Sequence, residues 1–136
     1  MTAGYSGTPL VRKLGIKTGT RCAFLDPPER YREMLGELAR DLTAVDASKP
    51  GFDFVHLFVR EQAGLAGRLR HLHGTMAKDG IVWVSWPKKA SRVQTDVTEG
   101  VVRRAGLSAG LVDVKVCAVD VVWSGRKLVI RRANRR

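Results

Sequence analysis

Asp26-Pro27-Pro28-Glu29 follows an apolar run at residues 20–25 and leads directly into a helical pattern. Aspartate at the cap, proline at the first helical position and glutamate three residues after the cap make a capping box. Its side chains would satisfy the backbone N–H groups that a first helical turn leaves without partners. Tyr31, Met34, Leu35 and Leu38 then recur at i, i+3, i+4 and i+7, which is one helical face. A strand that turns straight into a helix starts a βαβ unit and predicts a parallel sheet.

The pattern extends in both directions. Upstream, Thr8-Pro9 predicts a helix start, and the short helix at residues 9–14 stops at Gly15. Downstream, residues 42–46 read as a second strand and residues 47–51 as a loop. Residues 52–59 are almost continuously apolar, broken by Asp53 and His56, which suits a central parallel strand covered on both faces. A helix is predicted over residues 61–77 with Leu65, Leu69, Leu72 and Met76 on one stripe, held by packing because Gly64, Gly67 and Gly74 weaken it. Residues 78–80 end it, and residues 81–86 form another buried strand. A basic loop (87–94) and a helix (95–107, with Val97, Val101 and Ala105 inward) follow. From Leu111 the pattern alternates: Val112, Val114 and Val116 point one way, Asp113 and Lys115 the other. A phase slip at residues 118–120 predicts a bulge. Ser124-Gly125 reads as the tight turn of a closing antiparallel hairpin, with its last strand at residues 127–131. The expected organisation is an arm (1–7), one α/β domain (8–132) and a basic tail (133–136).

A chain of 136 residues suits one domain. With 44% hydrophobic and 27% charged residues, it lies far from the disordered regime. Lys and Arg number 24 against 13 acidic groups, for a net charge of +11. Such a field attracts polyanions and acidic partners and is silent about fold. Arg131, Arg132, Arg135 and Arg136 supply four of those charges. Cys22 and Cys117 sit in separate apolar runs with no metal or disulfide spacing, as in a reducing compartment. With no signal-like N-terminus and no apolar run of spanning length, the expected location is cytoplasmic, away from membranes.

A mostly parallel three-layer α/β sheet closed by an antiparallel hairpin resembles the Rossmann-like class I methyltransferases, over roughly residues 20–131. Phe52-Asp53-Phe54-Val55 resembles the fourth strand of that fold, and the approach through Lys78-Asp79-Gly80 resembles its entry to the fifth. The chain is also similar to a small bacterial domain-of-unknown-function family. That likeness rests on Pro9-Leu10-Val11-Arg12-Lys13-Leu14-Gly15, on residues 52–59, on Trp83-Val84-Ser85-Trp86-Pro87-Lys88-Lys89, and on residues 111–120. It implies a fold and brings no catalytic residues. The methyltransferase likeness implies S-adenosylmethionine as cofactor, but the first strand-to-helix turn departs from it. Glycines there would let the backbone approach a cofactor. Here two prolines remove N–H donors, and Asp26 and Glu29 occupy the place of an anion. The segment between Asp46 and Phe52 is too short for a further helix and strand, so one edge strand is missing.

Ligands of open parallel sheets sit beyond the carboxyl ends of the strands, where four loops should converge: residues 26–30, 46–49, 60–61 and 86–92. Asp26-Pro27-Pro28 partly matches an amino-group methyltransferase motif, but a helix cap explains it fully. Asp46 stands where an acidic residue often holds a ribose, or is a plain loop aspartate. Trp86 with Lys88, Lys89 and Arg92 offers an aromatic face beside three cations, suited to a nucleotide or phosphate group. The alternative is a tryptophan covering the sheet end beside a solvated loop. His56, His71 and His73 share no metal-ligand spacing, and no nucleophile has a base at readable distance. The leading expectation is therefore a non-catalytic binding module, without catalytic residues, metal or obligate cofactor, for an acidic or phosphate-bearing partner. An atypical S-adenosylmethionine-dependent methyltransferase and a nucleic-acid-binding accessory protein are the alternatives.

Overall fold

Six strands form one sheet in the order β2-β1-β3-β4-β6-β5 in the computed structural model, which describes residues 10–36 and 42–135. In chain order the elements are α1 (Leu10–Leu14), β1 (Arg21–Leu25), α2 (Tyr31–Leu35), β2 (Thr43–Ala44), β3 (Phe52–Phe58), α3 (Leu65–Thr75), β4 (Met76–Pro87), α4 (Glu99–Ser108), β5 (Leu111–Ala118) and β6 (Trp123–Ile130). Strands β2, β1, β3 and β4 pair in parallel; β6 runs antiparallel between β4 and β5. The expected fold class is thus the observed one. The arm, the Thr8-Pro9 helix start, Leu38 and the final arginine of the tail lie outside the described residues.

Period-2 alternation sorts the apolar side chains onto two faces. Ala23, Val55, Leu57, Val82, Val84, Trp86 and Leu128 face one side, where Leu65, Leu69 and Leu72 of α3 and Val102 of α4 cover them. Cys22, Phe54, Phe58, Trp83 and Trp123 face the other, under Leu10, Val11 and Leu14 of α1 and Tyr31 and Leu35 of α2. β3 is central, buried from both sides, because its sequence offers large apolar groups in both phases. The indole N–H of Trp83 donates to the carbonyl of Leu14 at 2.8 Å, tying α1 to the sheet.

Several local expectations are corrected. The helix after β1 begins at Tyr31, with Arg30 at its cap and no side-chain capping bond. Pro28 explains the delay: the residue before a proline is driven out of the helical region, so Pro27 cannot be a first helical residue. Asp26 instead takes a left-handed φ of 55° and ion-pairs with Arg68 of α3 at 3.2 Å. In α4, capped by Thr98, the fully buried residues are Val102 and Gly106; Val101 and Ala105 are only partly covered. Val97, just ahead of the helix, is buried, and Val101 and Ala105 pack against the same core, so the inward face includes the expected residues and is centred one residue further on.

The hairpin turn lies at residues 119–122. Val119 N–H donates to the Trp123 carbonyl at 2.9 Å, and Asp120 Oδ1 accepts from the N–H groups of Val122 and Trp123. Gly125, expected in the turn, is mid-strand between Ser85 and Cys117. A Cβ there would meet Ser85 Oγ and Val119 at 3.1 Å and Trp83 at 3.2 Å, so close approach fixes the glycine. The bulge falls between Asp113 and Lys115, and it breaks the expected valine alternation. Val112 registers with Val129 but Val116 with Arg126, on opposite faces.

Candidate functional site

The carboxyl ends of β1 and β3 open onto a cleft of about 370 Å³. The turn after β1 gives one wall with Asp26, Pro27 and Pro28. Phe58 at the end of β3 and Trp123 at the start of β6 supply aromatic surface, and Arg60 and Arg68 bring two guanidinium groups. The Arg60 guanidinium lies 5.8 Å from the centroid of the Trp123 ring, a cation–π contact. Trp123 in turn meets Phe58 edge-on at 5.1 Å. The segment after β4 is strapped to this rim: Thr95 Oγ1 donates to the Arg60 carbonyl at 2.6 Å, and Asp96 accepts from Gln62 N–H at 2.8 Å. A second cleft, of about 490 Å³, runs along the strap and shares Arg60 and Glu61.

Behind Phe58 lies a chain of buried polar groups. His56 Nδ1 meets Tyr31 Oη at 2.6 Å, and His56 Nε2 meets Ser85 Oγ at 2.7 Å. His56 and Ser85 have no exposed surface and Tyr31 almost none. The Phe58 ring stacks on the imidazole at 4.1 Å. Burial pushes the His56 pKa down to about 3, so the ring is neutral, donating from one nitrogen and accepting at the other. Burial raises the Tyr31 phenol, which keeps its proton. The histidine and serine are thus neighbours in space, a relation invisible in sequence, but they are sealed beneath the aromatic layer. Their role is to satisfy one another.

The expected site residues are dispersed. Trp86 packs in the core on the α3–α4 face, which is the sheet-covering alternative. Lys88 lies close enough to Cys117 to act electrostatically on its thiol, on the α1 face, and its N–H donates to the Val122 carbonyl at 2.7 Å. Lys89 and Arg92 are exposed in and after a single 3-10 turn, Arg92 at a left-handed φ of 63°. The aromatic face beside three cations is therefore not assembled. Asp46 is also displaced. β2 pairs with the first half of β1, and Asp46 lines a cleft with Arg21 and Phe52 at the opposite, amino end of the sheet. Its carboxylate accepts from the N–H and hydroxyl of Ser48, which hold its pKa below the usual range. Asp26 alone of the expected acids reaches the carboxyl-end cleft. Two residues that carry no site signal in the sequence also line the carboxyl-end cleft: Trp123 at the start of β6, and Arg68, which faces it from the first turn of α3. Among the described residues no three His, Cys, Asp or Glu side chains gather as metal ligands.

The residues at the first turn do not fit S-adenosylmethionine as a glycine-rich turn would. Two prolines present no N–H, and Asp26 is spent on Arg68. No helix among the described residues is long and apolar enough to cross a membrane.

Sheet order, helices on both faces and the terminal antiparallel pair define a class I methyltransferase-like Rossmann domain. The magnesium protoporphyrin IX methyltransferase ChlM from Synechocystis PCC 6803, solved with bound S-adenosylhomocysteine, is similar to it. The TM-score is 0.56 at 12% identity, covering 90% of this chain and 78% of that one. Aeropyrum pernix fibrillarin with natively bound S-adenosylmethionine gives 0.50 at 17% identity, covering 93% and 70%. LepI in complex with S-adenosylmethionine gives 0.56 at 11% identity, and this chain spans 47% of its length. At such identities the likeness concerns the fold. No curated protein matches the sequence. The chain belongs to the family described as Protein of unknown function (DUF3052), whose sequence model matches residues 28–132.

Proposed function

We propose that this protein is a non-catalytic binding module on a degenerate methyltransferase-like scaffold, holding an acidic or phosphate-bearing partner in the carboxyl-end cleft. The observation that carries the reading is the Arg60 guanidinium seated over Trp123 in the same cleft as Arg68. Two forked donors from separate segments beside an aromatic wall suit a phosphate group and the planar or apolar body attached to it, with the phosphate taking the place of the exposed Asp26 carboxylate on Arg68. The location agrees with the rule for open α/β sheets. The plugged first turn and the sealing of His56 and Ser85 beneath Phe58 support binding over chemistry.

Calorimetric titration with pyrophosphate, ATP and S-adenosylmethionine tests the reading. Saturable binding of pyrophosphate or ATP is expected, weakened about tenfold or more by Arg60→Ala and by Arg68→Ala, since a charge-assisted hydrogen bond is worth about 1.5–3 kcal/mol. Saturable S-adenosylmethionine binding with no response to either phosphate compound would overturn it. That result would favour the atypical methyltransferase reading, to which the ligands of the structural neighbours lend support.

A further inference from the structure

Lys115 of β5 and Lys127 of β6 stand directly opposite one another in the antiparallel ladder. Their side chains therefore leave the same face of the sheet. It is the α1 face, because Lys127 registers with Trp83, whose indole bonds to Leu14 of α1. Cys117, two residues beyond Lys115, packs against the same α1-side cluster. Lys13 of α1, Lys88 and Lys115 all act electrostatically on its thiol. Four lysines are thus drawn to one end of one sheet face. Neither Lys115 nor Lys127 makes an ion pair among the described residues.

Like charges directly opposite in a ladder destabilise it, by up to roughly 1 kcal/mol relative to a neutral pair. An ordinary solvated surface gains nothing from that arrangement. A polyanion laid across the face would convert the repulsion into attraction. We infer that the α1-side face of the β5–β6 hairpin, centred on Lys115 and Lys127 with Lys13 and Lys88 at its margin, docks the sugar-phosphate backbone of a nucleic acid.

The chemistry of the face selects this partner. Ammonium groups are point charges that track phosphates without reading base edges, and the net charge of +11 adds a long-range pull on a polyanion. A lipid surface would call for exposed apolar anchors beside the cations. Val116, next to Lys115, faces the other side of the sheet opposite Arg126, and Leu107 belongs to α4; Val114 in the β5 bulge and Val121 in the hairpin turn are exposed one at a time, and single exposed valines are ordinary surface. This surface adjoins the carboxyl-end cleft at Trp123, but Lys115 and Lys127 do not line that cleft, so their substitution tests the inference apart from the proposed function.

Fluorescence anisotropy with a labelled DNA duplex and a labelled single-stranded RNA, each about two helical turns' worth of nucleotides, titrated across salt, provides the test. The full chain should bind at least one of them, with log K falling linearly against log salt. The double variant Lys115→Ala/Lys127→Ala should lose about tenfold in affinity at low salt and reduce the duplex salt slope by about 1.8, which corresponds to two lost phosphate contacts. Lys115→Arg/Lys127→Arg should retain binding. Arg104→Ala, an exposed cation on the α4 side, should stay within about twofold. Removing a like-charge pair does not threaten folding, so a Tm equal to or above that of the parent is expected alongside the lost affinity. Unchanged affinity and slope in the alanine pair would overturn the inference. So would binding to phosphatidylserine vesicles with none to either nucleic acid, or no binding to any of these probes.

Discussion

Replacing His56 with glutamine should flatten the protein's stability against acid, and the size of the effect follows from its burial. The imidazole is wholly enclosed between Tyr31, Ser85 and Phe58, and its pKa falls from 6.5 to about 3 on folding. Between those values the unfolded chain binds a proton that the native protein refuses. Stability is therefore fully present above about pH 6.5 and is lost as pH falls towards 3. Each pH unit in that window is worth about 1.36 kcal/mol, so from pH 6.5 to pH 4.5 the histidine withdraws about 2.7 kcal/mol. In Tm that is roughly 3–5 °C per kcal/mol for a domain of this length. Glutamine can still bond to both hydroxyls but does not titrate. At pH 7 the variant should be weaker by about 1–3 kcal/mol, because the ring stack and one good bond are lost. Urea unfolding of both proteins at pH 7 and pH 4.5 gives the comparison, with the carboxylate contributions cancelling between them. The wild type should lose about 2–3 kcal/mol more than the variant. Parallel losses would refute the claim that His56 is neutral and sealed.

Trp86→Ala should cost about 3–5 kcal/mol in chemical unfolding, as for a buried aromatic, while leaving affinity at the carboxyl-end cleft unchanged; selective loss of binding would return Trp86 to the site. Gly125→Ala should destabilise by about 1–3 kcal/mol, because its Cβ meets Ser85, Val119 and Trp83 at 3.1–3.2 Å; a neutral result would mean that the glycine is there for a turn after all. The Cys22 thiol, buried and pushed up to about 11, should resist a disulfide reagent at pH 8, with roughly one molecule in a thousand as thiolate. Cys117, half-buried, should react first, and equal labelling rates would contradict the packing of β1.

Much of the fold was legible because its signals are local and periodic. The stripe Leu65, Leu69, Leu72 fixed α3, and the apolar density of residues 52–58 fixed β3 as central. What failed depended on neighbours far along the chain. Gly125 is required by Ser85 and Trp83 across the ladder, and no nearby residue signals that. Pro28 sits in what looks like a complete helix cap, yet its ring drives Pro27 out of the helical region and delays the helix to Tyr31. The candidate site was the least legible part. β4 ends at Pro87, so the strand holds Trp86 in the core while Lys88 follows the departing loop, and an aromatic and a cation two residues apart in sequence do not reveal where a strand stops. Arg60, Arg68 and Trp123 come from three elements and meet only once the sheet is assembled. The short β2 likewise explains Asp46: a two-residue strand leaves it at the wrong end of the sheet.

The central claim, that the carboxyl-end cleft is where this scaffold holds a phosphate-bearing ligand, is tested most directly by residue-resolved NMR during a pyrophosphate titration. Saturable shifts should gather at the Trp123 indole N–H, the backbone of residues 58–61 and the Arg68 side chain, while the indole of Trp83, bonded to Leu14, stays still. Shifts gathered around Asp46 at the amino end of the sheet, or a cleft that responds to S-adenosylmethionine and not to pyrophosphate, would contradict the account.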